Sequence, residues 1–175
     1  MSRSVLLLRA VNVSGRSRVP MARLRELIAP ELGEVSTYIA SGNIVCEQPS
    51  DPRSACAAVR AMISAEFGVD TPVVHRTHEQ LVRSHANQPF AGASEKLLHA
   101  MFLEGSASAG AVDALRERLV PGERIALVGD DLWIDYAEGG VHTSKLTKAV
   151  LDRVLGVAGT ARNVRTVRKL IELTA

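Results

Sequence analysis

Aromatic rings are scarce in this sequence: one Trp, two Tyr and three Phe make up 3% of 175 residues. Its core must therefore be aliphatic, and its strands lack the rings on which single-stranded bases are usually stacked. Cysteine is scarce too. Cys46 and Cys56 stand apart without C-x-x-C spacing, so they read as reduced thiols rather than a redox pair or a disulfide framework. The apolar run near the N-terminus, Val5 to Leu8, stops at Arg9. That is short of the ~7–15 apolar residues of a secretory signal, and no stretch approaches the ~20 of a membrane-spanning helix. A cytoplasmic protein with no membrane contact is the expectation.

Several motifs are also missing. Neither G-x-x-x-x-G-K-[ST] nor G-x-G-x-x-G occurs, so neither nucleotide fingerprint applies. No G-x-S-x-G elbow surrounds Ser41, which reads as a turn residue. His75, His78 and His85 have no nearby Cys or acid pair to complete a metal site, and no cofactor is implied. His99 reads as a core histidine in a strand. No acid–base pair stands out, so whether the chain is an enzyme is left open.

What is present is a globular composition, 46% hydrophobic and 23% charged. The length suits one large domain or two small halves sharing a core. Net charge is only +2, but it is unevenly spread. Residues 1–25 carry six arginines (Arg3, Arg9, Arg16, Arg18, Arg23, Arg25) and no acid. Residues 144–169 carry seven bases against Asp152 alone, whereas residues 94–140 hold nine acids against four bases. Basic ends of this kind point to an anionic ligand.

Periodicity yields a strand at Val5–Asn12, a helix around Met21–Ala29 behind Pro20, and a hairpin in "VSTYIASGNIVCE" turning near Gly42. A helix from about Pro52 to Phe67 follows, then a strand in "TPVVHR" and a short helix. The second half repeats that order, with a hairpin turning at Gly129-Asp130 and a helix in "SKLTKAVLDRVLG" capped by Ser144. Gly33, Gly42, Gly68 and Thr71 recur as Gly122, Gly129, Gly156 and Thr160, at offsets of 87 to 89 residues. The fold class expected is α+β, two tandem ferredoxin-like βαββαβ(α) repeats sharing a core. The repeats are 1–86 and 97–175, joined by a linker at 87–96.

Three basic segments are candidates for binding an anion. In "NVSGRSRVP", a small-residue loop between a strand and a helix offers backbone N–H groups, with Arg9, Asn12, Gly15 and Arg18 around it. The bland reading is an exposed turn whose arginines, Arg16 above all, face water. In "HTSKLTK", Ser144 caps a helix and Lys145 lies in its first turn, where a cation opposes the helix dipole unless an anion is near. In "TARNVRTVRKL", Arg162 precedes a helix capped by Asn163, while Arg165, Arg168 and Lys169 read as a solvated face. Ser41 and Asn43 in the first hairpin turn complete the set. If the basic ends meet, Arg9, Lys145 and Arg162 converge on one cleft between the repeats. Asp130, Asp131 and Asp135 alternate along the second hairpin and read as a solvated strand face. Trp133 shares that face and is expected to be partly exposed, or covered by the other half.

The stretches "LLRAVNVSGRSRVPM", "TYIASGNIV", "SKLTKAVL" and "TARNVRTVRKL", in this order, resemble the bacterial domain-of-unknown-function family numbered sixteen ninety-seven. The resemblance covers nearly the whole chain. The family pattern looks like L-L-R-G-I-N-V-G-G at its start, so Ala10 and Ser14 stand where glycine is usual. A Trp-Asn pair of that pattern is Val164-Arg165 here. The resemblance supports the fold and implies no reaction. The function expected is binding of a phosphate-bearing ligand, nucleic acid or nucleotide. An enzyme acting on a small anionic metabolite and a ligand-free homo-oligomer are the alternatives.

Overall fold

In the computed structural model, which describes residues 2–175, the apolar run Val5–Leu8 lies in strand β1 (Arg3–Leu8). Helix α1 (Met21–Leu32), strands β2 (Ser36–Tyr38) and β3 (Asn43–Glu47), helix α2 (Pro52–Phe67), strand β4 (Val73–Thr77) and helix α3 (His78–Asn87) follow. The strands form one antiparallel sheet in the order β2-β3-β1-β4. Side chains alternate across a strand. Leu6 and Leu8 thus join Ile44, Cys46 and Val73 against Leu24, Ile28, Val59 and Ile63 of α1 and α2. Val5 and Leu7 occupy the opposite face and are just as buried. Local chemistry sets the ends of α2: Asp51 Oδ1 accepts the N–H groups of Arg53 and Ser54, Pro52 opens the helix, and left-handed Gly68 closes it.

The second sheet has strands β5 (Leu98–Leu103), β6 (Arg124–Val128), β7 (Asp131–Asp135) and β8 (Gly159–Asn163), in the antiparallel order β6-β7-β5-β8. Helices α4 (Ala111–Arg116), α5 (Lys148–Leu155) and α6 (Val164–Thr174) accompany it, with a 3₁₀ turn at Gly140–His142. Leu103, Leu132 and Ile134 pack with Leu115, Leu151 and Leu155. The chain is thus mixed α+β, with two four-stranded antiparallel sheets and, among the described residues, six α-helices. Two compact units result. The first runs to Leu81 and adds Leu170–Ala175, and the second is Val82–Lys169.

Three local readings of the sequence need correction. Strand β1 ends at Leu8, not near Asn12, because Ala10 and Asn12 take positive φ of 50° and 56°. The helix expected to begin at Ser144 begins at Lys148. Thr147 Oγ1 accepts the Val150 N–H and caps it, while Ser144 Oγ accepts the Leu146 N–H in a preceding turn. The face of β7 that carries Asp131, Trp133 and Asp135 is not solvated: all three are buried. Trp133 is covered by α3, whose Ser84 Oγ accepts the indole N–H at 3.0 Å, with His85 edge-on to the ring. Asp135 accepts from Arg124 Nε at 3.0 Å, which offsets its burial.

Both hairpins turn where glycine was read, but the two glycines differ in surroundings. Gly42 takes φ of 82°, and a Cβ there would lie 2.6 Å from Leu8 Cβ and 2.9 Å from Val11 Cγ2. Gly129, at φ of 61°, has open space around it. Gly42→Ala is expected to cost about 3 kcal/mol, from backbone strain and overpacking together. Gly129→Ala should cost about 1 kcal/mol. Urea-unfolding midpoints read the difference, and equal losses would contradict the close packing of the first turn on the end of β1.

Candidate functional site

The loop after β1 is wound tightly. Ala10, Asn12, Ser14, Gly15 and Ser17 all have positive φ, a conformation that costs a residue with a Cβ roughly 1–2 kcal/mol. One side chain holds the loop in that shape. Asn12 Nδ2 donates to Val19 O at 2.9 Å and to Ala40 O at 2.8 Å, and Asn12 Oδ1 accepts the Val19 N–H at 2.8 Å. The Asn12 N–H donates to Ser17 O at 3.0 Å. Asn12 therefore ties the loop to the turn of the first hairpin. At the start of the loop, the Arg9 N–H donates to Thr71 Oγ1, which donates in turn to Arg9 O.

The turn across from it is closed by Asn43. This buried side chain donates to Tyr38 O at 2.9 Å and Ser41 Oγ at 3.1 Å. Gly42 O accepts the Leu8 N–H at 2.8 Å, which fixes the turn to the end of β1. Arg9, Asn12, Gly15, Arg18, Ser41 and Asn43 thus gather at one end of the first sheet. Their roles differ. Asn12 and Asn43 are internal staples, whereas Gly15, Arg16 and Arg18 are exposed. Among the described residues Arg16 and Arg18 have no ion-pair partner, and the N–H groups of Ser14, Gly15 and Arg18 have no acceptor.

The remaining four residues belong to the second unit. Lys145 is exposed and precedes α5, beside Ser144. Arg162 is 7% exposed on β8, its Nη1 donating to Thr160 Oγ1 at 2.7 Å and Ala161 O at 2.9 Å. Burial lowers its guanidinium pKa to about 10. Asn163 caps α6, accepting the Arg165 N–H at 2.9 Å, and donates to Glu95 O at 2.6 Å. Among the described residues no hydrogen bond joins Ser144 or Lys145 to Arg162 or Asn163.

The helical face read as solvated has a partner in the second unit. Arg165 and Arg168 both bind the carboxylate of Glu95, and together they hold its pKa below the usual range, Arg168 most strongly. Arg168 Nε also donates to His85 Nε2 at 3.3 Å. Burial, and then the charge of Arg168, lower the His85 pKa. His75 lies in β4 with its Nε2 buried and without a partner, and desolvation, reinforced by Arg76, lowers its pKa to about 4. Sequence reasoning missed a further pairing: His78 Nδ1 lies 2.9 Å from Thr174 Oγ1. Residues 96 positions apart carry no local signal of such contact.

Residues 1–133 match the family described as protein of unknown function (DUF1697). The chain belongs to this family. No curated protein matches it. Among solved structures it is similar to a conserved bacterial protein from Streptococcus pneumoniae, at 22% identity and a TM-score of 0.77, over 99% of both chains. At that identity the likeness concerns the fold. Ala10 and Ser14, which stand where the family pattern has glycine, are both left-handed, with φ of 50° and 52°. The glycines of that pattern suit a conformation that this chain adopts without them.

Arg162→Met should cost about 2 kcal/mol or more, because Thr160 Oγ1 and Ala161 O lose a buried donor, whereas Lys145→Met should change stability by less than about 0.5 kcal/mol. Denaturant melts of the two variants decide whether Arg162 is structural. For His75 the folded pKa is lowered, so the unfolded chain binds the proton more readily. Its contribution is complete above about pH 6.5 and is lost as pH falls toward about 4. Unfolding free energy should decline across that window, and less steeply in His75→Leu. An unchanged slope in the variant would show that His75 is not the group responsible.

Proposed function

We propose that the protein binds a phosphate-bearing ligand, a nucleic acid or a nucleotide, through the arginine loop of the first unit. The reading rests on one observation. Arg16 and Arg18 stand exposed, without ion-pair partners among the described residues, on a loop whose shape is maintained by Asn12. Cations that contribute nothing to holding the loop are available to a ligand. The N–H groups of Ser14, Gly15 and Arg18 add donors of the kind that anion-binding loops use. Arg9 begins the same loop, and residues 1–25 contain no acid to cancel the field. With so few rings in the chain, contacts to phosphates are favoured over base stacking.

The setting for this reading is a pair of ferredoxin-like repeats, residues 1–86 and 97–175, joined through 87–96. The strand orders β2-β3-β1-β4 and β6-β7-β5-β8 support it, since each half runs β-α-β-β-α-β before its last helix. A cytoplasmic location accords with Cys46 and Cys56 both being free thiols. No described helix is long and apolar enough to cross a membrane.

Salt dependence tests the ligand class. Anisotropy of a short labelled single-stranded oligonucleotide, titrated between about 50 and 200 mM salt, should show affinity falling steeply as counterions are released. In the double variant Arg16→Gln/Arg18→Gln the slope of log K against log salt should be shallower by about 1.4, or about 0.7 for each lost phosphate contact. Binding of a mononucleotide with weak salt dependence would select the nucleotide form. If neither ligand binds, or if the double variant matches the parent, the reading is wrong.

A further inference from the structure

At the far end of the first sheet from the arginine loop lies an open cleft of about 700 Å³. Arg3, Thr77, His78, Glu79, Thr174 and Ala175 are among the residues that line it. The registers Arg3↔Glu47 and Ser4↔Thr77 mark this end, just as Leu7↔Asn43 and Leu8↔Val73 mark the other. We propose that this cleft is a separate binding site, for a small oxyanion that carries a hydroxyl. Arg3 holds the charged oxygens and His78 Nε2 accepts the hydroxyl proton in a hydrogen bond.

The argument begins with the single proton of Thr174. Thr174 Oγ1 donates back to Leu170 O at 2.8 Å, with Ile171 O at 3.2 Å. Its hydroxyl proton is thus spent on the carbonyls of its own helix. The contact of 2.9 Å with His78 Nδ1 can then be made in only one sense: Nδ1–H donates and Oγ1 accepts. This assigns the tautomer. In the neutral form of the ring the lone pair then lies on Nε2, which has no hydrogen-bond partner among the described residues and is not among the buried polar atoms lacking one, so solvent reaches it. A buried threonine, 4% exposed, fixes a half-buried histidine with its basic nitrogen available.

Arg3 supplies the charge. It is half-buried and has no ion-pair partner among the described residues. A half-buried guanidinium suits an oxyanion, which it can bind through two parallel N–H groups. The opposing charges on the lining, the Glu79 side chain and the carboxylate of Ala175, belong to exposed residues, so water screens them more than it screens Arg3. A cation with an adjacent lone-pair acceptor favours an oxyanion that still carries an O–H over one fully deprotonated. A cleft of this size matches small-molecule sites in general.

Inorganic phosphate and sulfate separate the two roles, since phosphate keeps a hydroxyl near neutral pH and sulfate does not. The measurement is the pair of ring ¹⁵N shifts of His78 in the Arg16→Gln/Arg18→Gln protein, which lacks the loop arginines. Its result is therefore independent of the loop reading. The free protein should show the Nδ1–H tautomer. Millimolar phosphate should shift the Nε2 signal, and sulfate should act about tenfold more weakly. Adding Arg3→Gln should weaken phosphate about tenfold or more. Thr174→Val should give mixed tautomers and erase the preference for phosphate over sulfate, while the melt remains cooperative. The proposal is overturned if phosphate leaves the His78 signals unmoved, if Arg3→Gln retains the response, or if sulfate moves them equally.

Discussion

Val5, Leu6, Leu7 and Leu8 have no exposed surface, and a strand covered on both faces governs what its neighbours can be. The helix-side face is met by aliphatic side chains of α1 and α2. The opposite face holds charged groups as well as apolar ones, and these must be bonded where they lie. Arg76, 8% exposed, sits across from Val5 and donates from Nη1 to His75 O at 2.7 Å. Arg162 sits across from Ala100 and donates from Nη1 to Ala161 O at 2.9 Å. The same solution recurs in the two sheets: an arginine on the strand beside the centre, turned back onto the carbonyl of the residue before it. Each guanidinium is thereby bonded within the sheet.

This burial explains which features could be read from the sequence. The hairpin turns at Gly42 and Gly129 and the helix ends at Gly68 and Gly156 are marked by residues that adopt a left-handed backbone without steric cost, and such marks are local. The alternation of β7 was legible as well, but not the burial of both its faces. Asp131, Trp133 and Asp135 alternate with Leu132 and Ile134, a pattern shared by solvated and doubly covered strands. Only a partner distant in sequence, Ser84 of α3 for the indole, decides between them. The start of α5 was misread for a different reason. Ser144 and Thr147 are both able to cap, and the residue chosen depends on where Leu146 must lie in the core.

The candidate residues divide by whether the fold already uses them. Asn12, Asn43, Arg162 and Asn163 have their polar atoms engaged by named backbone or side-chain partners. Sequence reasoning grouped them with Arg18 and Lys145 because residue type and position along the chain are the same whether a side chain staples the chain or faces solvent. Their hydrogen bonds separate the two kinds. A stapling amide is costly to remove and poor at recognition. An exposed arginine on a rigid loop is the reverse, since surface charge adds little stability and keeps its capacity for phosphate.

Rigidity is what gives the exposed arginines their meaning. Four non-glycine residues at positive φ between Ala10 and Ser17 raise the energy of the loop. The three bonds of the Asn12 side chain, with Thr71 on Arg9, oppose that cost. A flexible loop would avoid the strain altogether and need no staple. It would also leave Arg16 and Arg18 to lose conformational freedom on meeting a ligand, at about 0.5–1.5 kcal/mol for each side chain ordered and more for the backbone. The wound loop has already met the backbone part of that cost in folding. At the other end of β1, roughly 17–20 Å away for a six-residue strand, Thr174 holds His78 in the same sense, with one nitrogen engaged and the other open. In both places groups engaged by the fold position neighbours that the fold leaves unused.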